Sequence, residues 1–290
     1  MRSVSSYLHA IRTTHYEIAM TDLTRRILTA LVLAPIALAL TWLGGWGFAL
    51  LVAFAVVVSQ FELYSLMRQA DIRPMVPLGL VLGLLATLHP KLPWAPPVLV
   101  AGGIVLLMAF VFRRTEQPLA DVSGTLLGVF YPAFLVSFAI TLREADGFPL
   151  MEGDGFWLMV TVLVGVWGAD TFAYFAGRVF GKTKLLPAVS PKKTWEGAIG
   201  GLVGAFAIIA AFKAATLPIL GWMDVAALGV CCGVAGPLGD LLVSRFKRSV
   251  EAKDTGNWLP GHGGLLDRLD AAILAVPLAT LYLDHVARLF

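Results

Sequence analysis

Residues 156–177, FWLMVTVLVGVWGADTFAYFAG, form a continuous apolar run in which Asp170 is the only charged residue. A helix of about 20 such residues matches the thickness of the hydrocarbon core of a bilayer. Apolar and polar residues do not alternate in the run, which favours a membrane-spanning helix over a strand of a membrane barrel. The run therefore predicts an integral membrane protein.

The composition of the whole chain agrees with this prediction. Of its 290 residues, 58% are hydrophobic and 14% are charged, and the mean hydropathy is +0.80. Soluble domains contain about 25% charged residues, and a soluble domain of this length could not bury so much apolar surface. The two cysteines, Cys231 and Cys232, are adjacent within an apolar run, which excludes a disulfide framework.

Eight further apolar runs resemble the first. We predict an all-α, polytopic fold with about nine transmembrane helices, at residues 26–43, 46–67, 75–89, 95–112, 120–142, 156–177, 196–216, 222–244 and 268–288. The run at 75–89 is the shortest, and only Gly44 and Gly45 separate the first two runs, which predicts a tight turn between them.

The runs divide the chain into three parts. We expect residues 1–23 to be a polar, disordered extension, in which Met20 is a second candidate start. Residues 24–150 form the N-terminal transmembrane helices. Residues 151–290 form a C-terminal transmembrane region with two charged loops, 178–196 and 245–268, which contain most of the candidate catalytic residues.

The distribution of basic residues predicts the orientation of the chain. With nine spans, all but four of the 22 Lys and Arg residues lie on the side of the N-terminus; the exceptions are Lys91, Arg143, Lys213 and Arg288. Because basic connections tend to stay in the cytoplasm, we expect the N-terminus and both charged loops on the cytoplasmic side.

The most highly charged stretch is residues 244–270, SRFKRSVEAKDTGNWLPGHGGLLDRLD. Asp240 precedes it, near the end of an apolar run, and Ser244 lies four residues later on the same helix face. Asp267 and Asp270, three residues apart, share one face at the positive end of the last helix. Ionisable residues at membrane depth are costly and indicate functional sites.

The loop 253–264 combines glycines with Lys253 and His262. Glycines allow successive backbone N–H groups to approach an anion closely, so we interpret the loop as a phosphate-binding segment. Magnesium prefers oxygen ligands, and no grouping of Cys and His suggests zinc. We expect four carboxylates to converge on the cation: Asp240, Asp254, Asp267 and Asp270.

A second polar region follows Asp170, which lies inside the run 156–177 with Tyr174 four residues later. Ser190 before Pro191 and Thr194 before Trp195 predict helix starts. Lys192 and Lys193 lie between them. Each polar feature also has a structural alternative: lysines that set topology, aspartates that cap a helix, and glycines in a flexible loop.

The segment 244–270 resembles the signature of the phosphatidate cytidylyltransferase, or CDP-diacylglycerol synthase, family. Ser, Lys-Arg, Lys-Asp, Pro-Gly-His-Gly-Gly and Asp-Arg-x-Asp follow one another in the order and spacing of that family. Segments 168–184 and 190–197 are similar to its second cytoplasmic region. The resemblance implies a polytopic inner-membrane enzyme, dimeric where known, that converts CTP and phosphatidate to CDP-diacylglycerol and diphosphate with Mg²⁺.

The resemblance also implies roles for individual residues. Asp240 and Asp267 would hold Mg²⁺, with a second cation left open. We expect further catalytic contributions from Lys253, Asp254, His262 and Asp270. We expect substrate contacts from Ser244, Lys247, Arg248, Gly261, Gly263, Gly264, Arg268, Lys192, Lys193 and Asp170.

Two other functions remain open from the sequence. A CTP-dependent polyprenol or lipid kinase would use the same nucleotide but transfer the γ-phosphate to an alcohol. An ion-coupled transporter would use Asp170 and Asp240 as intramembrane ion sites, although its charges would be spread along a pathway. We expect no nucleic-acid partner.

Overall fold

The structure is a computed structural model that describes residues 29, 31–145, 150–258 and 263–290. The predicted extension 1–23 therefore lies outside the described residues. Within the described ranges, the apolar helices are α1 Leu31–Leu43, α2 Gly45–Gln69, α3 Val76–Lys91, α4 Ala95–Phe112, α5 Pro118–Arg143, α6 Asp154–Phe180, α7 Trp195–Ala215, α8 Trp222–Ser249 and α9 Leu266–Val286.

The predicted all-α membrane fold is confirmed. Seven of these helices are long and apolar enough to cross a membrane, and only α1 and α3 are shorter. The helices start and end close to the predicted runs. The only sheet in the described part of the chain is an antiparallel hairpin of two short strands, β1 (Lys184–Leu186) and β2 (Ser190–Thr194).

The tight turn between α1 and α2 is also confirmed. Gly44 and Gly45 have φ values of 66° and 59°, in the left-handed region that glycine adopts without a steric penalty. The Arg143 guanidinium, at the end of α5, donates hydrogen bonds to the carbonyl oxygens of Thr41 and Trp42. These contacts satisfy free carbonyl groups at the C-terminal end of α1.

Helices α6 and α7 form the most extensive helix pair in the bundle. Four glycines of α7 face α6: Gly197, the adjacent pair Gly200 and Gly201, and Gly204. A Cβ atom at Gly201 would lie 2.8 Å from the Ala169 carbonyl oxygen. Small residues allow helices to approach closely in a membrane, where dispersion contacts replace the hydrophobic effect between helices. The pair fixes α6, with Asp170, next to the hairpin that carries Lys193.

A small apolar cluster, which we call the apolar floor, joins the C-terminal parts of α2 and α8 and the N-terminal part of α9 to the middle of α5. Its buried residues are Leu63, Tyr64 and Met67 on α2, Tyr131 on α5, Val243 on α8, and Leu266 and Ile273 on α9. The helix ends that carry the charged signature residues are therefore packed against the N-terminal half of the chain.

The start of α7 shows one correct and one wrong prediction. Thr194 is the N-cap of α7, and its hydroxyl oxygen accepts a hydrogen bond of 3.1 Å from Gly197 N. Ser190, by contrast, lies in strand β2 and starts no helix. A residue before proline is biased towards extended conformations, which explains why Ser190-Pro191 forms a strand.

The glycine interface yields a stability prediction. Replacing Gly201 with leucine would force a side chain into the backbone of α6, whereas a Cβ atom at Gly103 in α4 would have no atom within 4 Å. We expect Gly201→Leu to lower the free energy of unfolding by about 1–3 kcal/mol or more, and Gly103→Leu to have little effect. Thermal unfolding in detergent measures both, and equal melting temperatures for the two variants would contradict the close packing of α6 on α7.

Candidate active site

Charged residues of the β-hairpin, α8 and α9 meet at one end of the helix bundle, beside the apolar floor. Two ion pairs define the site: Lys193 Nζ lies 2.6 Å from Asp240 Oδ2, and Lys247 Nζ lies 2.6 Å from Asp267 Oδ1. The first pair joins the β-hairpin to α8, and the second joins α8 to α9. Residues far apart in the sequence are thus brought together.

Asp240 projects from the middle of the C-terminal half of α8. Ser244 Oγ donates a hydrogen bond of 3.2 Å to Asp240 Oδ1, which confirms their predicted shared face. Because α8 continues to Ser249, five residues beyond the predicted span 222–244, Asp240 lies about two and a half turns from the helix end, deeper than that span implies. Its ionic partner is Lys193, whereas Arg248 donates to the Ala252 carbonyl oxygen.

Both carboxylate oxygens of Asp267 have partners. Oδ1 receives the Lys247 ammonium, and Oδ2 lies 2.8 Å from Thr255 N and 3.0 Å from Thr255 Oγ1. The side chains of Lys247 and Asp267 are only 12% and 10% exposed. Charges removed from water are stabilised only when such partners are present, so this pair is held in one orientation.

Asp170 and Asp270 extend the site. Asp270 lies within electrostatic range of Asp170, Asp240 and Asp267, and Asp170 lies within range of Lys193 and Asp240. We refer to Asp170, Asp240, Asp267 and Asp270 as the acidic cluster. The sequence predicted that four carboxylates would converge; Asp240 and Asp267 lie within electrostatic range of Asp270, whereas the structure gives no such interaction for the fourth, Asp254. Asp254 is exposed on the neighbouring loop, beside Gly263.

The donor chemistry of the acidic cluster fits Mg²⁺. Its ligand atoms are carboxylate oxygens, and Mg²⁺ is commonly held by one or two carboxylates together with substrate phosphates. Over the ranges that the structure describes, no three His, Cys, Asp or Glu side chains are grouped closely enough to hold a metal by themselves. Lysine ammonium groups neutralise Asp240 and Asp267 instead.

The other predicted site residues surround the cluster. Lys192, Arg248, Lys253 and Arg268 are exposed. Gly264 is buried, and a Cβ atom there would lie 1.9 Å from Thr255 Oγ1, so close packing accounts for this glycine. Gly261 and His262 lie outside the described residues. Tyr174, four residues after Asp170, accepts a hydrogen bond from Arg178 at its Oη atom.

Sequence reasoning missed two residues from the N-terminal half of the chain. Glu62 on α2 is 2% exposed and accepts hydrogen bonds from Thr255, Leu265 and Leu266. Tyr131 lies in a π-helical segment of α5, Val129–Phe134, and is 3% exposed within electrostatic range of Asp240 and Asp270. An acidic residue inside the apolar run 46–67 was the signal that could have identified Glu62.

An open apolar groove of about 570 Å³ lies between α6 and α7. Phe172, Phe175, Val179, Ile199 and Val203 line it, with Glu196 at the start of α7. The groove begins two residues beyond Asp170, on the side of the bundle where the β-hairpin leads into α7. With 3.6 residues per turn, Phe172, Phe175 and Val179 lie on the face of α6 opposite to Asp170, so the groove opens on a different side of this helix from the acidic cluster.

Comparison with known proteins agrees with this architecture. Residues 24–286 match the model of the cytidylyltransferase family. Proteins named phosphatidate cytidylyltransferase are 34% identical in Synechocystis sp. (88% of this chain and 94% of the relative), 36% identical in Brucella abortus (91% and 94%) and 32% identical in Bacillus subtilis (89% and 96%). The match extends over the apolar N-terminal helices as well as the charged C-terminal segment, so the chain belongs to the cytidylyltransferase family.

Proposed function

We propose that this membrane protein is a phosphatidate cytidylyltransferase, which makes CDP-diacylglycerol and diphosphate from CTP and phosphatidate. The observation that carries the proposal is the lysine-paired acidic cluster at one end of an apolar helix bundle. Such a site can bind a polyphosphate, and the apolar surface of the helix bundle can accept the acyl chains of a lipid. The relatives of this chain carry the same name.

The chemistry requires charge compensation more than a strong base. A phosphate oxygen of phosphatidate, already anionic near neutral pH, attacks the α-phosphorus of CTP, and the bond to the bridging oxygen of the leaving diphosphate breaks. Two polyanions must approach each other for this in-line displacement. Lys193 and Lys247 supply positive charge at the site, and each can exchange its carboxylate partner for a phosphate.

Asp240 and Asp267 would hold Mg²⁺, which, when bound, neutralises the phosphate oxygens of the nucleotide. Ser244 orients Asp240, while Thr255 orients Asp267 through two hydrogen bonds. We assign Asp254 and Asp270 to completing or orienting the metal shell. Phosphate contacts come from Lys253, Arg248, Arg268 and the 261–264 backbone, and His262 donates a hydrogen bond to diphosphate.

The lipid substrate would approach from the α6–α7 side. We assign Lys192 and Lys193 to the phosphatidate head group, with Asp170 nearby, and the groove lined by Phe172 and Phe175 to an acyl chain. The exposure of Lys192 and the position of Lys193 beside Asp240 support this assignment. In this arrangement the lipid phosphate reaches the nucleotide without leaving the membrane interface.

The position of the site supports a specific orientation in the membrane. We infer nine crossings, with α1 and α3 as the short ones, an N-terminus in the cytoplasm, and the site on the cytoplasmic face of the cell membrane. All but four of the basic residues then lie on that face. CTP and Mg²⁺ reach the site from the cytoplasm. A homodimer and the absence of a nucleic-acid partner are part of the same proposal.

Product analysis tests this function directly. We expect purified protein with Mg²⁺, α-³²P-labelled CTP and phosphatidate to produce labelled CDP-diacylglycerol and unlabelled diphosphate. Labelled CDP with a newly phosphorylated lipid alcohol would instead identify a CTP-dependent lipid kinase. Ion-dependent uptake into proteoliposomes, without consumption of CTP, would identify a transporter.

The carboxylate assignment predicts that Asp240→Asn and Asp267→Asn each lower Mg²⁺-dependent turnover by more than about 100-fold, because a metal contributes several kcal/mol to transition-state stabilisation. The matched control is Asp284→Asn: Asp284 lies at the opposite end of α9, paired with His285, and we expect its loss to leave turnover unchanged. Thermal unfolding shows that each variant is folded. Wild-type turnover in either site variant would refute the assignment.

A further inference from the structure

Glu62 occupies an unusual position for an acidic residue. It lies near the C-terminal end of α2, outside the charged signature, and is 2% exposed. Its Oε1 atom accepts a hydrogen bond of 3.0 Å from Leu265 N, and its Oε2 atom accepts one of 2.8 Å from Leu266 N. Thr255 Oγ1 lies 3.0 Å from Oε2. All of its partners belong to the segment 255–266.

These contacts account for the burial of a charged group. A carboxylate taken out of water is costly unless donors surround it. Leu265 and Leu266 provide amide groups from the first turn of α9, which have no partner within the helix, and the helix dipole favours a negative charge there. The interaction forms only when the segment 255–266 folds back onto α2.

The loop is shaped around this carboxylate. A Cβ atom at Gly256 would lie 2.5 Å from Glu62 Oε1, and one at Gly264 would lie 1.9 Å from Thr255 Oγ1 and 2.9 Å from Glu62 Oε2. Any other residue at these two positions would displace the segment from Glu62. Gly256 and Gly264, both in the charged segment 244–270, therefore allow close packing against Glu62, which lies nearly 200 positions earlier in the chain.

Thr255 connects Glu62 to the proposed metal ligand. Its hydroxyl is 3.0 Å from Glu62 Oε2 and 3.0 Å from Asp267 Oδ2, and its backbone N–H donates to Asp267 Oδ2 at 2.8 Å. A hydroxyl has one proton and donates it to one carboxylate at a time. The backbone bond holds Asp267 in either case, so the position of Thr255 determines the orientation of Asp267.

We propose that Glu62 is a positioning residue for the cytidylyl-transfer site. It fixes Thr255 and the start of α9 on α2, and through Thr255 it helps to set the orientation in which Asp267 meets the cation. Glu62 itself touches neither substrate nor metal. This inference rests on the proposed function for its kinetic consequence, whereas its structural part is independent of that function.

The test compares Glu62→Ala and Glu62→Gln with Gln60→Leu in the full-length protein. Gln60 lies on the same helix and donates hydrogen bonds to Tyr64 Oη and to the Gly79 carbonyl oxygen, away from the segment 255–266. Gln60→Leu therefore reports a general loss of stability in α2. The Glu62→Gln variant keeps the shape of the side chain and one acceptor oxygen, so we expect its effects to be smaller than those of Glu62→Ala.

Two measurements decide the proposal. In Glu62→Ala we expect hydrogen exchange of the Leu265 and Leu266 amides to become at least about 10-fold faster, and the Mg²⁺ concentration for half-maximal activity to rise about 10–100-fold, as for losses of residues that orient metal ligands. Gln60→Leu should change neither the exchange rates nor the Mg²⁺ requirement, even if its melting temperature falls as far as that of Glu62→Ala.

Three results would overturn the inference: unchanged exchange at both amides in Glu62→Ala, an unchanged Mg²⁺ requirement in a variant whose amides are exposed, or equal effects of Glu62→Ala and Gln60→Leu on both measurements. An inactive wild-type protein would count against the proposed function instead, and the exchange measurement would still decide whether Glu62 anchors the segment.

Discussion

A charge next to a bilayer must have a partner, and this requirement organises the charged end of the bundle. The Lys193–Asp240 and Lys247–Asp267 pairs each join two elements that are separate in sequence. Glu62 satisfies the same requirement with neutral donors from the α9 N-terminus. Because isolated charges at these depths would be costly, the pairing constrains how α2, α8, α9 and the β-hairpin are arranged.

The same pairs suit the site for polyphosphate chemistry. An acidic cluster without lysines would repel CTP, and lysines without carboxylates would have no means of holding a cation. Each lysine neutralises a carboxylate, so positive and negative groups lie side by side. Under the proposed function, each lysine exchanges its carboxylate partner for a phosphate.

The N-terminal half of the chain contributes more than membrane spans. The charged segment 244–270 lies entirely in the C-terminal region. The apolar floor nevertheless includes residues of α2 and α5, and Glu62 on α2 contacts Thr255 of this segment. A C-terminal fragment would therefore lack the surface that Thr255, Leu265 and Leu266 contact. The family match over residues 24–286 is consistent with this dependence.

The sequence predicted the helices well because about 20 consecutive apolar residues are a strong, local signal. Local spacing also predicted the shared helix face of Asp240 and Ser244 and the helix start at Thr194, and both are confirmed. The ionic partners were not predictable, since Lys247 and Asp267 are 20 residues apart and their contact depends on how α8 and α9 pack. Glu62 was missed because a single acid in an apolar run belongs to no motif. The Ser190 prediction failed because Ser-Pro suits an extended strand as well as a helix start.

The central claim is that Asp240 and Asp267, together with their lysines, form one site for a cation and a triphosphate. An experimental structure with Mn²⁺ and a CTP analogue that cannot be cleaved between the α- and β-phosphates would test it most directly. The account predicts that both carboxylates face the same cation, directly or through its bound water, with the phosphates between Lys193 and Lys247. Carboxylates that point apart, or a nucleotide bound elsewhere on the bundle, would contradict it.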